Sequence, residues 1–205
     1  MNRFLSLALA ALLLAPCVSA ADLPASAAPS GPETAAASAV LMEKESGAVL
    51  YEKDARQKLE PASVTKIMTL LLIMEGLDSG RIARDDMVTV SAYAAGMGGS
   101  QVYLKEGEQM SVSELLKCIT VVSGNDAAVA MAEYLSGSEA AFVAEMNLRA
   151  RELGMADTNF VNCTGLPAAG HLTSAVISAT LELFLQVWDG QVGRKFSDTV
   201  GLNLL

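Results

Sequence analysis

Pro61-Ala62-Ser63-Val64-Thr65-Lys66-Ile67-Met68-Thr69 carries the chain from an extended approach into an apolar helix. Leu59-Glu60-Pro61-Ala62 reads as the approach, and a helix is predicted from about Ser63 to Glu75. Its apolar positions Ile67, Leu70, Leu71 and Met74 recur at helical spacing, and Gly76 reads as the stop. Residues i and i+3 share a helix face, so Ser63 and Lys66 are expected to project side by side. A serine hydroxyl is a weak nucleophile until a base takes its proton. A lysine in an apolar pocket has a lowered pKa; neutral, it accepts that proton, and protonated, it stabilises the alkoxide. The free N–H groups and dipole of a helix start also favour negative charge at Ser63. By itself Ser-x-x-Lys is a common coincidence, and a serine at a helix start is usually only a cap.

A second candidate lies about sixty residues on, as expected when a site assembles from distant segments. Ser123-Gly124-Asn125 sits between two predicted helices. Ser123 would relay a proton between Lys66 and a leaving amine. Asn125 would orient Lys66 and donate to a substrate carbonyl. Alone, the tripeptide is an interhelical turn with a capping Asn.

The flanking elements follow from the same patterning. Ser38 to Lys53 reads as a β-hairpin, with strands Ala39–Met42 and Ala48–Tyr51 and a Ser46-Gly47 turn. Val88 to Tyr103 reads as irregular. Ser111-x-x-Glu114 is a capping box for a helix to about Val122. Asn125 or Asp126 is expected to cap the next helix, through Ala130, Met131 and Leu135. Ser138 caps another, from Glu139 to Leu153, closed by Gly154. After Ser174 only Leu181, Phe184, Leu185 and Trp188 suggest a helix face. Met68, Met74 and Met131 are read as core packing.

The 205 residues suit one domain, and 52% hydrophobic content lets it bury a core. A net charge of -9 repels phosphate backbones and argues against nucleic acid. Residues 1–20 read as a signal peptide: Arg3, an apolar run from Phe4 to Leu14, and Val18-Ser19-Ala20 before the cleavage point. The run is too short for a permanent membrane anchor. Cys17 raises lipidation as the alternative, with Pro16 a poor fit to that processing site. Residues 21–37, rich in Ala, Pro and Ser, read as a flexible lead-in. Cys118 and Cys163 are expected to remain free thiols, with a disulfide as the alternative. No Cys/His cluster suggests a metal, and no cofactor is expected.

With both candidate motifs in place, the chain resembles the low-molecular-mass penicillin-binding proteins, specifically the serine-type D-alanyl-D-alanine carboxypeptidases. Pro61 to Thr69 resembles that family's nucleophile segment. Gly99-Ser100-Gln101-Val102-Tyr103-Leu104 with Gly107-Glu108 is similar to its next block, and Ser123-Gly124-Asn125-Asp126-Ala127-Ala128 to its second motif. Met146-Asn147, Leu153-Gly154-Met155, Thr158-x-Phe160, Gly165-Leu166 and His171-Leu172-Thr173-Ser174-Ala175 continue in order. The resemblance covers about Ser38 to Ala175. It implies an α/β (α+β) fold of the β-lactamase/transpeptidase type, a helix cluster packed on an antiparallel sheet. It further implies catalytic Ser63, Lys66 and Ser123 and substrate-binding Asn125. Ser63 would form the acyl-enzyme, Lys66 would act as general base, and Ser123 and Asn125 would complete the relay and the substrate contact. The expected partners are a peptidoglycan pentapeptide as substrate and β-lactams as acylating inhibitors. The expected location is extracytoplasmic, with peripheral membrane proximity left open.

The family's Lys-Thr-Gly motif is absent after Ala175, and with it the later strands of the sheet. Residues 38–175 are therefore read as a partial catalytic domain, truncated before the third motif and with its sheet incomplete. Residues 176–205 are read as an aberrant tail, of the kind a shifted reading frame produces. Two alternatives follow: a catalytically inactive peptidoglycan-binding module, and, more remotely, a β-lactamase. The latter lacks an expected Glu-x-x-Leu-Asn pattern. His171, the chain's single histidine, invites a Ser-His-Asp triad. Lys66 already fills the base role, so His171 is read as a loop residue with a structural hydrogen bond.

Overall fold

The computed structural model describes residues 33–43 and 46–175. The predicted leader, most of the lead-in and the tail after Ala175, with its Leu181–Trp188 helix face, lie outside the described residues.

The first hairpin pairs β1 (Ala39–Met42) with β2 (Val49–Lys53), setting Ala39 against Lys53 and Leu41 against Tyr51. Gly47 takes φ +69, the left-handed conformation its turn requires. Lys53 Nζ donates to the carbonyls of Thr34 and Ala36, tying the hairpin to the segment before it. Leu41 and Leu50 remain exposed on this ribbon.

The segment bearing Ser63 is a 3₁₀ turn, Ala62–Thr65, that leads into α1 (Lys66–Asp78). The helix predicted from Ser63 therefore starts three residues later as α-helix. The i, i+3 argument survives, because 3₁₀ geometry eclipses residues at that spacing. Nor does Gly76 stop the helix. A Cβ there would lie 2.9 Å from Leu135 Cδ2, so glycine serves close packing against a neighbouring helix. Helix α1 buries Met68, Leu71, Leu72, Ile73 and Met74, more than one stripe of its surface.

The segment read as irregular contains β3 (Met87–Thr89) and the short helix α2 (Ala92–Ala95), capped by Ser91. Strand β3 pairs with β4 (Gln109–Ser111) in a second two-stranded sheet that the alternation was too short to reveal. Helix α3 (Val112–Val122) opens on the predicted capping box, with both reciprocal bonds formed. Helix α4 (Asn125–Ser136) differs from expectation at its cap. Gly124 occupies that position, because the Asn125 and Asp126 side chains are engaged elsewhere. Helix α5 (Glu139–Glu152) is capped by Ser138, and Gly154 follows at φ +72.

The core lies among the helices. Helix α4 is central and touches α1, α2, α3 and α5. Its run Ala127-Ala128-Val129-Ala130-Met131-Ala132 is buried, and the small alanines allow neighbours to approach closely. Phe142, Met146, Leu115 and Leu116 fill the remaining space, together with Met68 and Met131. Each such side chain contributes about 1.5–3 kcal/mol on burial.

A further brace positions the site. Leu59 and Thr173 exchange backbone bonds of 2.8 and 2.9 Å, and Asn159 and Leu172 exchange bonds of 2.8 and 3.0 Å. The 172–173 segment thus holds the approach to Pro61 on one side and the loop after α5 on the other.

Candidate active site

The 163–165 loop and His171 pack against the 3₁₀ turn. Ser63 is exposed at its surface, and the backbone N–H of Lys66 donates to the Ser63 carbonyl. Ala62 holds φ +46, which a non-glycine residue adopts only at a cost of about 1–3 kcal/mol. The neighbouring loop over-determines it. A Cβ on Gly165 would sit 1.8 Å from the Ala62 carbonyl oxygen, so only glycine permits this approach.

Lys66 is 4% exposed, and its Nζ donates a 2.7 Å hydrogen bond to the Thr164 carbonyl oxygen. Burial lowers its pKa from 10.5 to about 8. The charged form is therefore disfavoured relative to a lysine in water. Cys163 would favour the ammonium if ionised. Burial and Glu139 push that thiol well above its ordinary range, so it stays neutral near pH 7.

The loop that receives Lys66 is built by its own side chains. Asn162 Oδ1 accepts from the Thr164 N–H at 3.1 Å and the Gly165 N–H at 2.7 Å, while its Nδ2 donates to the Leu166 carbonyl. Thr69 on α1 donates to the Cys163 carbonyl at 2.7 Å, and the Cys163 N–H donates to Glu139 on α5. Sequence reasoning assigned no role to Asn162 or Thr164. The Asn-x-Thr-Gly spacing, which folds an Asx-type turn onto itself, was the available signal.

Ser123 is the C-cap of α3, in the left-handed conformation with φ 58, and is half-buried. The Asn125 N–H donates to the Ser100 carbonyl and its Nδ2 to the Gly98 carbonyl, both at 2.7 Å. Asp126 accepts from the Val102 and Leu104 N–H groups. The Gly98–Leu104 loop is therefore pinned to the start of α4. Among the described hydrogen bonds, none joins the side chains of Ser63, Lys66, Ser123 and Asn125 to one another. The expected orientation of Lys66 by Asn125 is not made here, because Asn125 holds Gly98 and Lys66 holds Thr164.

His171 is buried, and its Nε2 lies 2.7 Å from Thr65 Oγ1. It has the structural hydrogen bond expected of it. Cys163 is buried, Cys118 is half-buried rather than fully packed, and both thiols are free. Among the described residues no His, Cys, Asp or Glu cluster could hold a metal. No helix among them is long and apolar enough to cross a membrane.

A helix cluster with small antiparallel sheets, and an exposed serine one 3₁₀ turn before a buried lysine, define a penicillin-binding, transpeptidase-like fold. The likeness extends to solved structures. The D-alanyl-D-alanine carboxypeptidase DacD of Francisella tularensis superposes with a TM-score of 0.74 at 38% identity, covering 76% of this chain and 38% of that one. Penicillin-binding protein 6B of Escherichia coli gives 0.74 at 39% identity, covering 79% and 53%. Residues 25–186 match the sequence family described as D-alanyl-D-alanine carboxypeptidase (peptidase S11), and the chain belongs to that family. DacF of Bacillus subtilis, a D-alanyl-D-alanine carboxypeptidase, is 57% identical over 140 residues, which are 68% of this chain and 36% of that protein. DacC of Escherichia coli, of the same description, is 43% identical over 142 residues, covering 66% and 36%. The chain thus spans only about a third of the length of these two curated relatives.

Proposed function

We propose that this chain carries the nucleophile half of a secreted serine-type D-alanyl-D-alanine carboxypeptidase acting on peptidoglycan stem peptides. Ser63 Oγ attacks the carbonyl carbon of the penultimate D-alanine as neutral Lys66 takes its proton. The C–N bond then breaks, and the departing D-alanine amine receives a proton passed from Lys66 through Ser123. Water hydrolyses the resulting ester and regenerates Ser63. Asn125 contacts the substrate's amide, and β-lactams acylate the same serine.

The observation that carries this reading is the pairing of an exposed Ser63 with a buried Lys66 whose pKa is lowered to about 8. A base poised near operating pH is what proton abstraction needs. Family membership supports the substrate class. The same reading takes residues 1–20 as a leader, 21–37 as a lead-in and 38–175 as the part of the catalytic domain that bears Ser63, Lys66, Ser123 and Asn125. It places the protein on the extracytoplasmic side of the membrane.

Incubation with a fluorescent penicillin tests it, with D-alanine release from a pentapeptide as the second readout. Label that depends on Ser63 is the expected result. No label, or label that survives Ser63→Ala, sinks the catalytic reading. The alternative, a peptidoglycan-binding module without turnover, is supported by the Lys66 and Asn125 side chains bonding to Thr164 and Gly98 rather than to each other. Measurable D-alanine release rejects it.

A further inference from the structure

His171 touches both halves of the site at once. The Val161 N–H at 3.0 Å and the Asn162 N–H at 3.4 Å both point at Nδ1. Backbone N–H groups can only donate, so Nδ1 must be unprotonated. The neutral ring then carries its proton on Nε2 and donates it to Thr65 Oγ1 at 2.7 Å. Thr65 directly precedes Lys66 in the turn that presents Ser63. Val161 and Asn162 begin the loop whose Thr164 carbonyl holds Lys66 and whose Gly165 lies against Ala62. Phe160 packs on the ring edge-to-face at 5.9 Å and helps fix its plane.

We infer that His171 is a positioning residue for the Ser63–Lys66 pair, locking the 161–165 loop onto the nucleophile turn only while its ring is neutral. The chemical consequence rests on the acyl-serine reading above; the geometric one does not. A second proton on Nδ1 would face the two N–H donors of Val161 and Asn162. Among the described residues Glu60, on the approach to the turn, is the charged group whose field acts on the ring. It favours protonation, but burial outweighs it and holds the pKa below 6.5. The folded chain therefore binds fewer protons at His171 than the unfolded chain. The lock contributes fully above about 6.5 and is lost as pH falls through the lower folded value.

The test uses the full chain in two arms. The first follows acylation by a fluorescent penicillin against pH, for the native sequence and for His171→Gln. Glutamine can still donate to Thr65 but does not titrate and loses the Nδ1 acceptor. Both proteins share the fall in rate as Lys66 protonates around pH 8. Below 6.5 the native chain should show a second acid limb that His171→Gln lacks, and the variant should be about 10- to 100-fold slower at neutral pH, as misplaced reacting groups are. A second limb below 6.5 with the same midpoint in the variant overturns the proposal.

The second arm needs no activity and no variant. Because the chain has one histidine, its ring nitrogens can be read directly by NMR. The Nε2–H tautomer is expected, with the amide signals of Ser63, Lys66 and Thr164 shifting in step with the ring's titration. An Nδ1–H tautomer, or site amides that stay still through that titration, overturns the proposal. A native chain that takes no label removes the acyl-serine reading, and the NMR arm still decides the positioning.

Discussion

Lys66 Nζ and the carbonyl oxygen of Thr164 are joined by a buried 2.7 Å hydrogen bond across 98 positions of chain. The bond fixes the position of Nζ, and no carboxylate among the described residues pairs with it. Burial therefore dominates, and the pKa falls to about 8 rather than rising.

The pH dependence of acylation follows from that value. In the proposed mechanism neutral Lys66 is the competent base, so the second-order rate of penicillin labelling should rise with pH through about 8 and then level off. Lys66→Arg, which cannot deprotonate, should label about 10²- to 10⁴-fold more slowly. A rate independent of pH between 7 and 9.5, measured at roughly constant ionic strength, would contradict Lys66 as the base.

Gly165 should not tolerate a side chain. Its φ of +86 and the 1.8 Å approach to the Ala62 carbonyl oxygen both forbid a Cβ, and the opposing atoms are backbone. Gly165→Ala should cost at least about 1–3 kcal/mol from the dihedral alone. The urea midpoint should fall and penicillin labelling should slow. A midpoint matching the native chain would show that the two loops do not pack this way.

Asp126 is wholly buried and accepts from the Val102 and Leu104 N–H groups at 3.1 Å each. Asp126→Ala leaves both donors unsatisfied, each at about 1–3 kcal/mol. Chemical denaturation should register the loss. Protection of the Val102 and Leu104 amides from hydrogen exchange should fall with it. Unchanged protection in the variant would place their acceptor elsewhere.

Cys163 should be silent to thiol reagents in the native chain. It is fully buried, and burial with Glu139 nearby keeps its thiol protonated. Cys118, half-buried with its pKa also raised by burial, should react slowly but measurably. Mass spectrometry after brief alkylation at pH 8 separates the two. Rapid modification of Cys163 without unfolding would mean the 162–166 loop opens readily.

The helices were legible because their signals are local. Ser111 with Glu114, Ser138, and Gly154 each mark a boundary through bonds made within a few residues. Strands β3 and β4 were missed for the converse reason. Three residues each give too little alternation, and their pairing joins segments about twenty apart. The caps of α4 were misplaced because Asn125 and Asp126 look like helix starters in isolation. Their side chains were claimed by the Gly98–Leu104 loop, which no local rule brings near.

The candidates Ser63, Lys66, Ser123 and Asn125 could be picked out of the sequence because residue type and order along the chain are one-dimensional facts. Their electrostatics were not. That Lys66 is buried, that Thr164 rather than Asn125 receives it, and that His171 binds Thr65 depend on a loop about a hundred residues downstream folding back onto the 3₁₀ turn. Sequence alone identified the family and raised serine–lysine chemistry as the expectation. Tertiary structure decided how readily Lys66 gives up its proton, because desolvation and hydrogen-bond partners depend on three-dimensional packing.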